Sequence, residues 1–347
     1  MSLIGSLARG EGIWKADDSG PRVLSDLDLI VVTRHHQGVP SVLDDELGRI
    51  ERESGVAVDV RIAPRVRLPF YPKNVETLDV REHRILLHGP DFTRWLPAVE
   101  TIDHTNIAYS FFNEVVLSLE ELSPSDMQQP GEKSLSLLSH RAAKTLFTCA
   151  SIVCMLSSRY QSTTAARMGC ITADRLGSVK LNGGQFPEDL QSAYAFRHAQ
   201  PSLHYLPDAE DFFRRARNYL LELFRFYMET QYGLYELDEY PRRAHRSMPA
   251  RERLRGIYTR FHTVELLLAQ GKTPRWSGSI SPALCCQMAA LMLYLAYDKL
   301  VDGMSVAKAE AYLSKFFRRP SAKHDDLPDR WCRARNELKA FHRLGVF

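Results

Sequence analysis

The sequence predicts an α+β fold in which a small mixed-sheet domain, residues 1–97, precedes a large all-α helical domain, residues 98–347. Three observations predict it. Up to about residue 95, short β-rich runs alternate with turn chemistry. Pro90 and Pro97 then punctuate the chain, and proline restricts the backbone ahead of it. Beyond them apolar residues recur every three or four positions, the stripe of amphipathic helices. A length of 347 residues fits two domains. The helical part exceeds one simple bundle, with a subdomain boundary expected near residues 233–256.

Strands are expected at residues 2–5, 27–33, 56–62 and 85–88, with a helix over 41–53. Ser41 is a suitable N-cap, and Asp44, Asp45 and Glu46 suit the positive end of a helix dipole. Val42, Leu43, Leu47 and Ile50 keep helical spacing, so this helix should cover the sheet. In the helical part, Ile107, Phe111, Val115, Leu119 and Leu122 mark a helix over 106–122. Ser139 is expected to cap a helix to about 157, and Asp208 a long one to about 232. Glycine and proline between residues 158 and 207 call for short helices. Ser281 and Pro282 open an apolar helix, and further helices are expected over 305–317 and 329–341.

Composition narrows the function classes. Hydrophobic content of 44% and charged content of 25% are those of an ordinary soluble domain. A formal net charge of +3 does not demand a nucleic-acid partner. The six cysteines, at 149, 154, 170, 285, 286 and 332, show neither a C-x-x-C pair nor zinc spacing with histidine, which points to a reducing cytoplasm. No charged-then-apolar leader opens the chain. The longest apolar stretch, residues 283–297, is interrupted by Gln287 and falls short of the roughly 20 residues that span a bilayer. No membrane partner is expected.

Chemistry concentrates near the start. Gly5-Ser6 ends an apolar run, Arg9-Gly10 follows, and Ser25-Asp26-Leu27-Asp28 opens a second run. Alternation in a strand puts Asp26 and Asp28 on one face and sends Leu27, Leu29 and Val31 into a core. Two neighbouring carboxylates repel unless a cation lies between them. Mg²⁺, which prefers carboxylate and phosphate oxygens, is the natural ion. A turn at Gly5 and Ser6 lets backbone N–H groups and a hydroxyl approach phosphate oxygens. Metal-assisted chemistry on a nucleoside triphosphate follows from this combination.

The pattern Gly5-Ser6, Arg9-Gly10, Ser25-Asp26, Asp28 resembles the signature of the DNA polymerase β-like nucleotidyltransferase superfamily, its minimal and aminoglycoside-type members in particular. The resemblance covers about the first sixty residues. It implies a palm domain with a third acidic residue on a later strand, and Asp59, alone among the β-branched residues 56–62, takes that place. Leu86-Leu87-His88-Gly89 looks like the strand end that closes such a palm.

Two departures from the family pattern stand out. The segment between Ser6 and Asp26 is longer than usual, with Trp14, Asp17, Asp18, Gly20 and Pro21, and is expected to protrude as a loop. The Gly-Ser strand also comes first, where the family places a helix ahead of it.

The resemblance implies that Asp26, Asp28 and Asp59 are catalytic and hold Mg²⁺, two ions in the family mechanism. It implies that Gly5, Ser6, Arg9 and Ser25 bind the nucleotide, with ATP as substrate. A helical domain of this superfamily also presents basic groups to the triphosphate, and Arg141 and Lys144 are the candidates by position. The implied activity moves AMP to a hydroxyl of a small-molecule acceptor. The alternatives are a protein side chain, an RNA 3′ end or a second nucleotide as acceptor, or a degenerate nucleotide-binding module. The arginines at 242, 243, 246, 251, 253 and 255, against one acid, Glu252, are the feature that would serve a nucleic-acid or protein acceptor.

Overall fold

Four strands make a small mixed sheet in the computed structural model of the chain, which describes residues 1–17, 20–23, 25–34, 41–99, 102, 104–123, 125–126, 130–171, 181, 184–199, 205–206, 208–234, 236–247, 282–299, 303–314 and 326–343. β1 (Ser2–Ile4) runs antiparallel to both β4 (Leu27–Thr33) and β6 (Ile85–Leu86). β4 runs parallel to β5 (Val58–Pro64), so the sheet is mixed, in the order β5-β4-β1-β6. A parallel pair needs a crossover, and α2 (Ser41–Ser54) lies between β4 and β5 in sequence to provide it. The chain is α+β, a small sheet accompanied by many helices.

The stretch expected as a protruding loop is partly regular. β2 (Trp14–Asp17) and β3 (Gly20–Val23) form a separate antiparallel hairpin, Trp14 opposite Val23 and Ala16 opposite Pro21. Four residues per strand are too few to display alternation. Pro21 is tolerated because both strands of a two-stranded sheet are edges.

The faces of β4 also differ from expectation. The apolar core of the sheet comprises Ile4, Ile30, Ala63, Leu68, Val80 and Leu96, with Val32, Tyr71, Phe92 and Trp95 packed against it. Ile30 and Val32 share a face with Asp28, whereas Leu27, Leu29 and Val31 are only partly buried. Asp28 therefore stands at the end of the core-facing row. Sequence alternation alone does not decide this, because every position from 27 to 32 except Asp28 is apolar.

The chain divides into two compact units, Met1–Ile107 with Cys149–His204, and Ala108–Thr148 with Tyr205–Phe347. In the first, the glycine-rich stretch carries short helices, Thr164–Cys170 and Phe186–Tyr194. In the second, Phe111 stacks on Phe224 at 3.9 Å and Phe112 meets the same ring edge-on. The helix Ala209–Tyr232 ends at Gly233, whose φ of 62° is the left-handed cap geometry glycine favours. Pro282–Leu295 is almost wholly buried, as expected of its apolar sequence. Ser139 is not a cap: the helix begins at Glu132, and the Ser139 hydroxyl donates to the Leu135 carbonyl at 2.8 Å while accepting from the Leu206 amide. Serine inside a helix commonly bonds back in this way. Among the described residues, no helix is long and apolar enough to cross a membrane.

Candidate active site

The strand register brings the site together. Ile4 of β1 lies opposite Asp28 of β4, and Asp28 lies opposite Asp59 of β5, so two predicted carboxylates occupy neighbouring strands at one level. Asp26 directly precedes β4 and is exposed. At the end of β1 the chain turns at once into a short helical turn, α1 (Gly5–Ala8).

Gly5 is required twice over. Its φ is +72°, in the region that disfavours side chains. A Cβ at this position would lie 1.9 Å from Asp28 Oδ2, 2.7 Å from Cγ and 2.9 Å from Cβ. The Asp28 carboxylate occupies the space a side chain at position 5 would fill, so the Gly-Ser turn and the acidic residue are in direct contact.

Burial pushes the Asp28 carboxyl above the ordinary carboxylate range; Arg61 draws it back, the charges of Asp59 and Asp26 add to the rise, and Arg9 lowers it. All four charged groups act on Asp28 through space. Arg61 follows Asp59 by two residues on β5 and pairs with it at 3.6 Å. It also pairs with Glu76 of α3 (Val75–His83). Both pairs are about half exposed and contribute little to stability. Arg61 is absent from the expected site residues, although period-2 alternation from Asp59 puts it on the same face. Nothing local marks Glu76, which arrives from a helix remote in sequence.

The other expected ligands have partners within the chain. Arg9 is engaged by two carboxylates, Glu11 at 3.1 Å and Asp79 at 3.4 Å, and is mostly covered. The Ser25 hydroxyl, buried, accepts from the Ile13 amide at 2.8 Å and so ties down the approach to the hairpin. Ser6 is half-buried within α1, its carbonyl accepting from the Glu11 amide at 2.8 Å.

Arg141 and Lys144 belong to the other compact unit. Arg141 is 1% exposed, donating from Nε to Glu114 Oε1 at 3.0 Å and from Nη1 to Glu121 Oε1 at 3.1 Å. Thr145 and Thr148 also donate to Glu114. A shared helix face read from spacing does not reveal that the partner helix supplies a buried acid. Arg141 is the counter-ion of Glu114, and its buried guanidinium is committed there rather than to a triphosphate. Lys144 is half exposed, 3.7 Å from Glu121. Of the arginine cluster, Arg242, Arg243 and Arg246 are exposed on the helix Tyr240–Ser247, and Arg251, Arg253 and Arg255 lie outside the described residues.

No group of three His, Cys, Asp or Glu side chains among the described residues is gathered closely enough to hold a metal ion. The donor chemistry nonetheless fits a hard divalent cation: Asp28 and Asp59 stand in register, and burial, with the added charges of Asp59 and Asp26, raises the Asp28 carboxyl. Asp26 and Asp59 are exposed, which leaves their side chains room to turn. Comparison of the sequence with models of known protein families and with curated proteins returns no match.

Proposed function

We propose that this chain is a Mg²⁺-dependent nucleotidyltransferase that moves a nucleoside monophosphate, from ATP, to a hydroxyl of a small-molecule acceptor. The observation that carries this reading is the contact of the Asp28 carboxylate with Gly5 of the Gly-Ser turn, with Asp59 in register beside it. One corner of the sheet thus sets acidic oxygens directly against the Gly-Ser turn.

Asp26, Asp28 and Asp59 would hold Mg²⁺, which when bound neutralises charge on the phosphates. Ser6 and the backbone of α1 orient the β- and γ-phosphates, and Arg9 braces that turn. In the transfer the acceptor oxygen bonds to the α-phosphorus as the bond to the bridging oxygen breaks. Pyrophosphate leaves, and Asp59, the exposed carboxylate, takes the hydroxyl proton. The reaction would take place in the cytoplasm, in keeping with cysteines that are free and, at 149, 154, 285 and 286, buried.

A macromolecular or second-nucleotide acceptor is the competing reading, favoured only by the exposed Arg242, Arg243 and Arg246. Incubation with each α-labelled nucleoside triphosphate and Mg²⁺ tests both. Label on a cationic, polyhydroxylated small molecule is the expected result. Label on RNA, on protein or on nucleotide oligomers transfers the assignment to the competing reading. Turnover that survives in a folded Asp26→Asn/Asp28→Asn variant removes the site assignment.

A further inference from the structure

Asp79 lies on α3, some fifty residues beyond β4 in sequence, yet its carboxylate meets the turn that carries Gly5 and Ser6. Arg9 Nη1 donates to Asp79 Oδ2 at 3.4 Å. The backbone of Arg9 is part of the turn: its amide donates to the Gly5 carbonyl at 3.2 Å, the Gly10 amide to Leu7 and the Glu11 amide to Ser6. The residue whose guanidinium Asp79 holds is therefore itself hydrogen-bonded into the turn. On its other side Asp79 accepts from the Tyr160 hydroxyl at 3.3 Å, and Tyr160 in turn accepts from Arg167 Nη1 at 3.2 Å. Arg167 is buried and held by the carbonyls of Gln161 and Ser162 and the hydroxyl of Thr164. Glu11, the second partner of Arg9, accepts from the Thr164 amide. Asp79 is thus a fixed post with Arg9 tied to it.

We propose that Asp79 is a positioning residue of the candidate site: by anchoring Arg9 it fixes the backbone of the Gly5–Ser6 turn against which the phosphates are held. This role in catalysis rests on the nucleotidyl-transfer reading above. The groups facing Asp79 are Arg9 from the turn, Arg167 and Tyr160 from the 160–167 segment, and Glu82 from its own helix. Burial, opposed by the two arginines, pushes the Asp79 carboxyl up to about 6.

The test uses the full chain and the near-isosteric Asp79→Asn. With ATP, Mg²⁺ and an acceptor that is labelled, KM for ATP should rise about tenfold in the variant at pH 8, the loss of one charge-assisted hydrogen bond. The value of kcat should change by less than about twofold, because the altered contact orients ground state and transition state alike. Wild-type KM should rise as pH falls through about 6, and the variant should lack that step. An unchanged KM and pH profile in an active enzyme overturn the proposal and leave the nucleotidyl-transfer reading standing. A second measurement is independent of turnover: hydrogen exchange at the Arg9, Gly10 and Glu11 amides, corrected for intrinsic rate, should accelerate about tenfold in Asp79→Asn. Equal exchange overturns the anchoring itself. Faster exchange in a protein that turns over no nucleotide supports the anchoring and removes the function it was placed to serve.

Discussion

Replacement of Gly5 by alanine perturbs the contact on which the site depends. An alanine at φ +72° costs about 1 kcal/mol in backbone conformation alone. Its Cβ would begin 1.9 Å from Asp28 Oδ2, where ordinary contact starts at 3.4 Å, so the oxygen has to retreat by 1.5 Å, the difference between the two. Rotating the Asp28 side chain off its rotamer costs about another 1 kcal/mol. Rotation cannot relieve the contact with Asp28 Cβ at 2.9 Å, because that atom is set by the pairing of Ile4 with Asp28. The sum is about 2–3 kcal/mol. For a unit of this size that lowers Tm by roughly 5–10 °C, and the displaced carboxylate should lower transfer at least about 100-fold. Thermal unfolding followed by circular dichroism, with α-labelled ATP turnover on the same preparation, measures both. Adding Asp28→Ala, which removes Oδ2 and Cγ, should recover about 1 kcal/mol or more of the stability lost in Gly5→Ala and none of the activity. A Gly5→Ala protein that melts within 1 °C of wild type and keeps full turnover would refute the reasoning, since it would mean that the carboxylate does not rest on Gly5.

Other substitutions read separate parts of the structure. Asp28→Asn and Asp59→Asn should each cut Mg²⁺-dependent label transfer by about 100-fold or more with circular dichroism unchanged; a wild-type rate in either removes that residue from the site. For Asp79 the folded carboxyl titrates near 6, above its ordinary 3.8, so the stability it contributes is complete below about pH 4 and is lost as pH rises through 6. Asp79→Asn should therefore melt higher than wild type at pH 8, by up to about 3 kcal/mol, with the gap closing towards pH 4; a variant less stable at every pH contradicts the sign. Glu114→Ala leaves Arg141 buried without its main counter-ion and should cost about 3 kcal/mol in thermal unfolding, whereas a loss below about 1 kcal/mol would show that Glu121 alone compensates the charge.

Much of the candidate site was legible because its pieces are local. Gly-Ser after an apolar run, two acids spaced by two, and a lone aspartate within a β-branched run are each visible in a short window, and β4 falls on the predicted residues 27–33. The hairpin at Trp14–Val23 was missed because its strands are too short for a pattern. The core face of β4 was misassigned because a strand apolar on both sides carries no alternation to read. Arg141 was misread because helical spacing reports which residues share a face and says nothing of what stands opposite; Glu114 decides that.

By itself the sequence determined that a small sheet precedes many helices, since hydrophobic period and turn residues are properties of adjacent positions. It also determined which residue types stand at the candidate site. Only the tertiary structure decided that Asp28 faces Asp59, that its carboxylate fills the space above Gly5, and that Arg9 is held by Asp79. Those relations join positions 23 to 70 residues apart, and strand register and helix packing, which arise from burial over the whole unit, are what bring such positions within reach of one another.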